Sequence, residues 1–552
     1  MTDLLLPVAP RVLTRAGRHP GRVVLGYVAR KASRSGLLWG LVFGFFVVAQ
    51  TIAYTSAYQT QSSRDQMARA FGSNVGINAL IGPARSINTV AGYTSWRELG
   101  ILSLLGSIWG LMTSTRLLRG EEEAGRYELF LAGQTTRRGA HGQAVAGLGA
   151  GLLALFAGTT LGTVLTGRIS SVGFPISHCL YFSLTLVASA ALFLAVGALT
   201  SQLGDTRRRA ATMAGAVFGV CYTLRMVADS GPGLHWLVWL SPLGWIEQSR
   251  PLTDPNPAAL LPVLALIITL TALTVRSAAT RDLAVATLPE RDHARPHLTL
   301  LAGPIGLAVR LTRSTALAWV LAVGAFSVLL GTVAESSTED TSGNTAIEQT
   351  LGRLGGHGSL VQEYLGLTFL ILALILTLTA AGQVTAIRAE EGDGRLDNLL
   401  VRPVSRASWF AGRLGLSALL LVATGVLAGL GSWAGAPSQH SVAGFGSLLA
   451  AGLNVVPPAL FLLGLGALGL GAWPRRASAV VYGYLAWSFL VEFTGAVVHA
   501  DHWLMDTSVF FHMVPAPATS PDWTGAAVIT GLGLVGALVG GILLNRRDLI
   551  TA

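Results

Sequence analysis

Apolar runs of helical length recur along nearly the whole chain, separated by short polar stretches. An α-helix rises 1.5 Å per residue, so about 20 apolar residues cross a hydrocarbon core of roughly 30 Å. By that measure six spans fall in the first half: Leu37–Tyr58, Glu98–Leu118, Gln143–Thr166, His178–Thr200, Ala210–Val227 and Ala258–Val275. Six more follow: Thr315–Val333, Tyr364–Ile387, Arg413–Ser432, Val442–Trp473, Ala479–Val498 and Gly525–Leu544. The run Val442–Trp473 is too long for one straight crossing. Pro457-Pro458 predicts a kink or an interruption in it, because proline lacks the amide donor a helix interior needs. The expected fold is all-α and integral to a membrane, with about twelve transmembrane helices.

Composition agrees. Of 552 residues, 51% are hydrophobic and 12% charged, about half the charged share of an ordinary soluble domain. The net charge is +10. The arginines sit between apolar spans, which favours a positive-inside membrane topology over nucleic-acid binding. Arg207-Arg208-Arg209, the linker from Arg276 to Arg313, the stretch from Arg388 to Arg413, Arg475-Arg476 and Arg546-Arg547 occupy alternate loops. The opposite loops Trp433–Ser441 and Asp501–Trp523 contain no arginine. Both termini are therefore expected in the cytoplasm of a bacterial cell, with the chain multi-pass in its plasma membrane. No cleavable signal peptide is evident. Cys179 and Cys221 lie in apolar segments at a spacing that suits neither a metal site nor a disulfide framework, so no metal is expected.

The two halves read as a parallel repeat. After the second span of each half comes a polar loop: Arg119-Gly-Glu-Glu-Glu-Ala-Gly-Arg-Tyr-Glu128 and Arg388-Ala-Glu-Glu-Gly-Asp-Gly-Arg-Leu-Asp397. Arg119, Glu121, Glu122, Gly125, Arg126 and Glu128 match Arg388, Glu390, Glu391, Gly394, Arg395 and Asp397, each 269 positions later. The expected organisation is a first six-span half at 1–277, a cytoplasmic linker with an interfacial helix at 278–312, and a second six-span half at 313–552. Duplicated transporters commonly carry their substrate path at the repeat interface, although channels and membrane enzymes are duplicated too. Acids in a first helical turn followed by Leu129-Phe130-Leu131 or Leu399-Leu400-Val401 suggest a short cytoplasmic helix with an acidic, arginine-bearing surface. Such a helix could dock into another protein; a solvated turn holding two spans apart is the plainer alternative.

The pattern Glu-Glu-x-x-Gly-Arg-x-(Glu/Asp) between second and third spans resembles the coupling-helix signature of ABC-2-type exporter permeases. Over its full length the chain is similar to fused twelve-span antibiotic and multidrug efflux permeases of actinobacteria. The resemblance implies two six-helix bundles, each opened by an interfacial helix, for which Arg11–Ala32 and Leu298–Arg313 are amphipathic candidates. It implies two copies of a separate ATP-binding subunit, which would hold ATP and Mg. One would couple through Glu121, Glu122, Gly125, Arg126 and Glu128, the other through Glu390, Glu391, Gly394, Arg395 and Asp397. Gly392 and Asp393 stand where the first copy has Glu123 and Ala124, so the two docking sites are expected to be unequal.

The chain lacks its own nucleotide site. A P-loop requires Gly-x-x-x-x-Gly-Lys-(Ser/Thr), and the single lysine, Lys31, follows Arg30 and precedes Ala32. No catalytic residue or cofactor is expected in this chain, and any ATP hydrolysis belongs to a partner. The glycines of Gly147–Gly162 and Gly464–Gly471 have helix-packing spacing instead. A proton-driven secondary transporter is the competing class; it needs titratable carboxylates along a path. A membrane enzyme lacks a catalytic loop to carry it.

Charges inside a span are costly and suggest function. Glu492 is the clearest, with a substrate-path or gating role weighed against a structural pair. Arg225 lies near the end of the fifth span, while Arg97, Glu98 and Glu363 are expected at outer edges touching water. Trp39, Phe43 and Phe46 form an aromatic stripe that could line a path for small hydrophobic substrates, or simply pack. Trp236, Trp239 and Trp245 suit an interface with the bilayer, among prolines that preclude a continuous helix.

Overall fold

The computed structural model describes residues 20–72, 78, 81–131, 136–229, 232–280, 300, 303–339, 360–392, 394–401, 403–436, 444–498 and 501–549. Among these, every regular element is helical. The chain folds as two compact units, the first reaching His293 and the second running from Ala294 to Ala552. Residues 281–299 of the expected linker lie outside the described set.

The first unit contains α1 (Pro20–Ala57), α2 (Gln61–Gly72), α3 (Val90–Leu117), α4 (Arg119–Glu123), α5 (Arg126–Leu131), α6 (Arg137–Gly167), α7 (Ile176–Leu203), α8 (Arg207–Asp229), α9 (Pro242–Glu247) and α10 (Leu261–Thr280). Two 3₁₀ turns, Pro232–Leu240 and Pro257–Leu260, flank α9. The second unit contains α11 (Pro304–Glu339), α12 (Leu360–Gly392), α13 (Arg395–Leu400), α14 (Arg406–Gly435), α15 (Phe445–Asn454), α16 (Val456–Ala472), α17 (Ala477–Val498), α18 (His502–Met505) and α19 (Trp523–Arg546). Eleven membrane-length apolar spans occur among the described residues; the expected span Ala479–Val498 corresponds to α17, apolar over Ala477–Glu492. This is an all-α integral membrane protein.

Glycine sets the helix contacts. Gly36, Gly40 and Gly44 of α1 meet Gly151, Gly158 and Gly162 of α6, where a Cβ on Gly158 would come within 2.7 Å of the Gly40 backbone. Backbones can approach so closely only where both partners are small, and in a bilayer that van der Waals contact is a main source of helix association. On α6, Leu153, Leu161 and Leu165 are exposed, as lipid-facing residues should be. In the second unit α16 and α19 repeat the device, Gly464 against Gly533 and Gly471 against Gly540.

The interfacial stretches and the start of α3 differ from the sequence expectation, whereas the interruption expected in Val442–Trp473 is present. The basic stretches expected to lie apart as interfacial helices run directly into spans: 20–32 is the start of α1 and 304–313 the start of α11. Residues 11–19, 298–299 and 301–302 of those stretches lie outside the described set. The apolar face of the first stretch, Val24, Val28 and Ala32, is fully buried, because Gly147 and Gly151 of α6 leave room for Val28 and Ala32. Helix α3 begins eight residues before the expected Glu98, capped by Thr89, whose Oγ1 accepts from the Gly92 amide at 3.0 Å. The long run Val442–Trp473 divides at Val455, just ahead of Pro457-Pro458. Both prolines then sit in the first turn of α16, where a missing amide donor costs nothing.

Candidate functional site

The twin glutamate loops close the arginine-rich end of each unit. In the first, α3 passes through Leu118 into α4, Gly125 turns the chain at φ +70°, and α5 follows. In the second, α12 continues to Gly392, Gly394 turns at φ +69°, and α13 follows. Positive φ is nearly strain-free only for glycine, which explains the shared Gly-Arg step.

Within each loop one ion pair recurs. Arg119 meets Glu122 at 3.2 Å, and the equivalent Arg388 meets Glu391 at 3.9 Å. Arg119 is fully buried and also donates from Nε to the Asp205 carbonyl at 2.8 Å, tying α4 to the α7–α8 turn. Glu121 accepts from Lys31 Nζ at 3.0 Å, Tyr27 Oη at 2.9 Å and Arg126 Nε at 2.5 Å. The Arg126 guanidinium, hydrogen-bonded to Glu121, holds its proton more tightly than usual. Glu391 takes two hydrogen bonds from Arg547, and Glu390 takes Arg413 Nη2 at 2.8 Å and Trp409 Nε1 at 3.2 Å.

The sequence expectation was an acidic docking surface; four of its glutamates are largely buried, while Glu128 and Asp397 stay exposed. The side chains of Glu121, Glu122 and Glu391 are at most 5% exposed and Glu390 13%. They bind each loop to the helices of its own unit. What faces outward is Arg126, Glu128 and Leu129 in the first copy, and Arg395, Asp397 and Val401 in the second. The partners Lys31, Tyr27, Trp409, Arg413 and Arg547 escaped the sequence reading because they are remote in the chain. A signal existed for one of them: Arg547 belongs to Arg547-Asp548-Leu549, an echo of Arg281-Asp282-Leu283.

The expected path residues are divided. Phe43 is fully buried in the first unit's core and touches Trp39 edge to face, with ring centroids 5.9 Å apart. Trp39 and Phe46 pack against that core half-buried. Glu492 of α17 is half-buried and accepts from Ser508 Oγ at 3.3 Å, which ties it to the loop after α18.

A second polar cluster occupies the arginine-poor end of the first unit. Arg225 Nη1 donates to the Ile81 carbonyl at 3.1 Å, and its Nε lies 3.7 Å from Asp229. Arg85 donates to Gln248 at 3.3 Å and lies 3.8 Å from Glu247. Burial, with the neighbouring Asp229 charge added, raises Glu247 above the ordinary carboxylate range. A pocket opens here, walled by Trp96, Leu99, Leu243 and Ile246 beside Arg225 and Glu247. Glu98, expected at a wet edge, is 2% exposed. It lies two turns inside α3 once the early start of that helix is known. The side chain of Glu363 lies outside the described residues.

Apolar helices of span length in two units, each closed by a buried ion-pair loop and a short helix, define a multi-pass membrane protein. Residues 24–277 and 301–544 match the family described as multidrug efflux system permease Rv1217c, C-terminal domain, and the chain belongs to that family. It is similar to the multidrug efflux system permease protein Rv1217c of Mycobacterium tuberculosis (strain ATCC 25618 / H37Rv). The two are 28% identical over 556 residues, covering 99% of this chain and 98% of that protein.

Proposed function

We propose that this chain is the membrane-spanning part of an ATP-driven exporter of hydrophobic or amphipathic compounds. Two copies of a separate ATP-binding subunit, carrying ATP and Mg, would seat on α5 and α13. The arginine-rich ends and both termini then lie in the cytoplasm of a bacterial cell, as the arginine distribution favours. The mycobacterial relative is a multidrug efflux system permease protein, which supports outward transport here.

The observation carrying this reading is the repeated internal lock of the loops. Arg119–Glu122 and Arg388–Glu391 recur at equivalent positions, each followed by a left-handed glycine and a six-residue helix. A solvated turn needs no buried ion pairs. A handle does: force applied to α5 passes through Glu121 to α1 and through Arg119 to the α7–α8 turn. Buried acids make the attachment, and exposed Glu128, Leu129, Asp397 and Val401 offer the contact face.

The test reverses that face without touching the lock. Glu128→Arg combined with Asp397→Arg is expected to abolish co-purification of an ATP-binding subunit, and to abolish dye efflux, at normal membrane levels of the chain. Unchanged efflux that follows the proton gradient and survives deletion of the ATPase overturns the reading in favour of a secondary transporter.

A further inference from the structure

Pocketed behind α13 in the second unit is a guanidinium whose hydrogen-bonding capacity the protein does not use. The Arg413 side chain is 2% exposed, and its Nη2 meets Glu390 at 2.8 Å. Its Nε and Nη1 are buried with no hydrogen-bond partner among the described residues. A buried charged donor left unmet is costly, so such atoms usually mark a partner. Arg413 borders a pocket whose other walls include Leu307, Leu311, Leu399, Trp409 and Arg395.

We propose that this pocket binds the phosphodiester of an anionic phospholipid, with Arg413 as the recognising group. Three observations select that ligand. Arg413 carries a full positive charge with two donors unmet, which suits an anionic acceptor; phosphate oxygens accept strongly from guanidinium donors. The walls are otherwise apolar, and Leu317 and Leu321 further along α11 are exposed, so an acyl chain has a surface to follow while a free ion has none. The site also occurs at the arginine-rich end, where the proposed orientation puts the inner leaflet.

The first unit has no equivalent. Positions 269 residues earlier than Trp409 and Arg413 are Ala140 and Ala144, both fully buried. There Glu121 takes its cation from α1, through Lys31. Two different solutions thus neutralise equivalent glutamates, and in the second, among the described residues, Arg413 keeps unspent donors beside a pocket. The proposal goes beyond the export reading and depends on it only for the choice of leaflet.

Native mass spectrometry of the full-length chain in detergent tests it, with dioleoyl-phosphatidylglycerol and dioleoyl-phosphatidylcholine as probes. One phosphatidylglycerol is expected to be retained per chain, at least tenfold more tightly than phosphatidylcholine. Arg413→Lys should weaken that retention about tenfold, and the pocket-filling Leu307→Trp, which leaves Arg413–Glu390 in place, should remove it. Absence of a phosphatidylglycerol preference in the unmodified chain overturns the proposal, as does retention untouched by Leu307→Trp. Displacement by inorganic phosphate or glycerophosphoglycerol at concentrations matching the lipid overturns it in favour of a soluble anion. None of these outcomes involves ATPase binding or efflux, so the two readings stand or fall separately.

Discussion

Arg547, just past α19, closes on Glu391 with parallel hydrogen bonds of 2.6 Å from Nη1 and 2.7 Å from Nη2. The same Nη2 donates to the Leu470 carbonyl at 3.1 Å, so one side chain joins α12, α16 and the end of α19. Glu391 is 2% exposed. Removing Arg547 takes from the buried Glu391 its nearest cation and leaves Arg388 3.9 Å away, at a cost of roughly 3 kcal/mol. Arg547→Met is expected to lower the thermal midpoint of the detergent-solubilised chain by that measure. Adding Glu391→Gln should recover part of the loss, because the poorly paired charge is gone. Additive single effects in that double-mutant cycle would show that the contact contributes nothing.

The turns at Gly125 and Gly394 have nearly the same backbone angle, and neither has atoms within 4 Å of an added Cβ. Alanine at either position therefore meets no steric obstacle, only the left-handed conformation, at about 1–2 kcal/mol. Gly125→Ala and Gly394→Ala should destabilise the protein by similar amounts. Unequal losses in thermal unfolding would mean that one loop leaves this conformation at little cost.

At Gly162 the opposite situation holds, since a Cβ there collides with the backbone of Gly44. Gly149, on the same helix, faces open space. Gly162→Ala should cost about 1–3 kcal/mol through overpacking, whereas Gly149→Ala should lie within about 1 kcal/mol of the unmodified protein. Fluorescence-detected size exclusion after a heat step separates them; equal behaviour would exclude close α1–α6 packing.

Glu247 supplies a pH dependence. Its carboxyl is raised above the ordinary range by burial and by Asp229, so the folded state holds a proton that the unfolded chain has released. Stability from this group is complete below the ordinary glutamate value and is lost as pH rises through the raised one. Thermal midpoints should fall on going from acid toward alkaline pH, and Glu247→Gln should flatten that slope. A slope unchanged by the substitution would assign the dependence to another group.

Spans, their number and the twin loops were legible in the chain because each is a local property: a run of apolar residues long enough to cross a bilayer, or a polar motif written twice. The packing role of Gly147–Gly162 was legible for the same reason, through its spacing. Helix boundaries were less so, because Thr89 caps α3 and α6 shelters Val24, Val28 and Ala32, neither of which an apolar run reveals. What only the tertiary structure decided is the direction in which the charges point. Glu121 and Glu391 read as surface acids in the sequence, yet they are buried, since Lys31 and Arg547 arrive from 90 and 156 positions away. A carboxylate's environment is set by which cations fold against it, and that pairing is long-range information that no window of sequence contains.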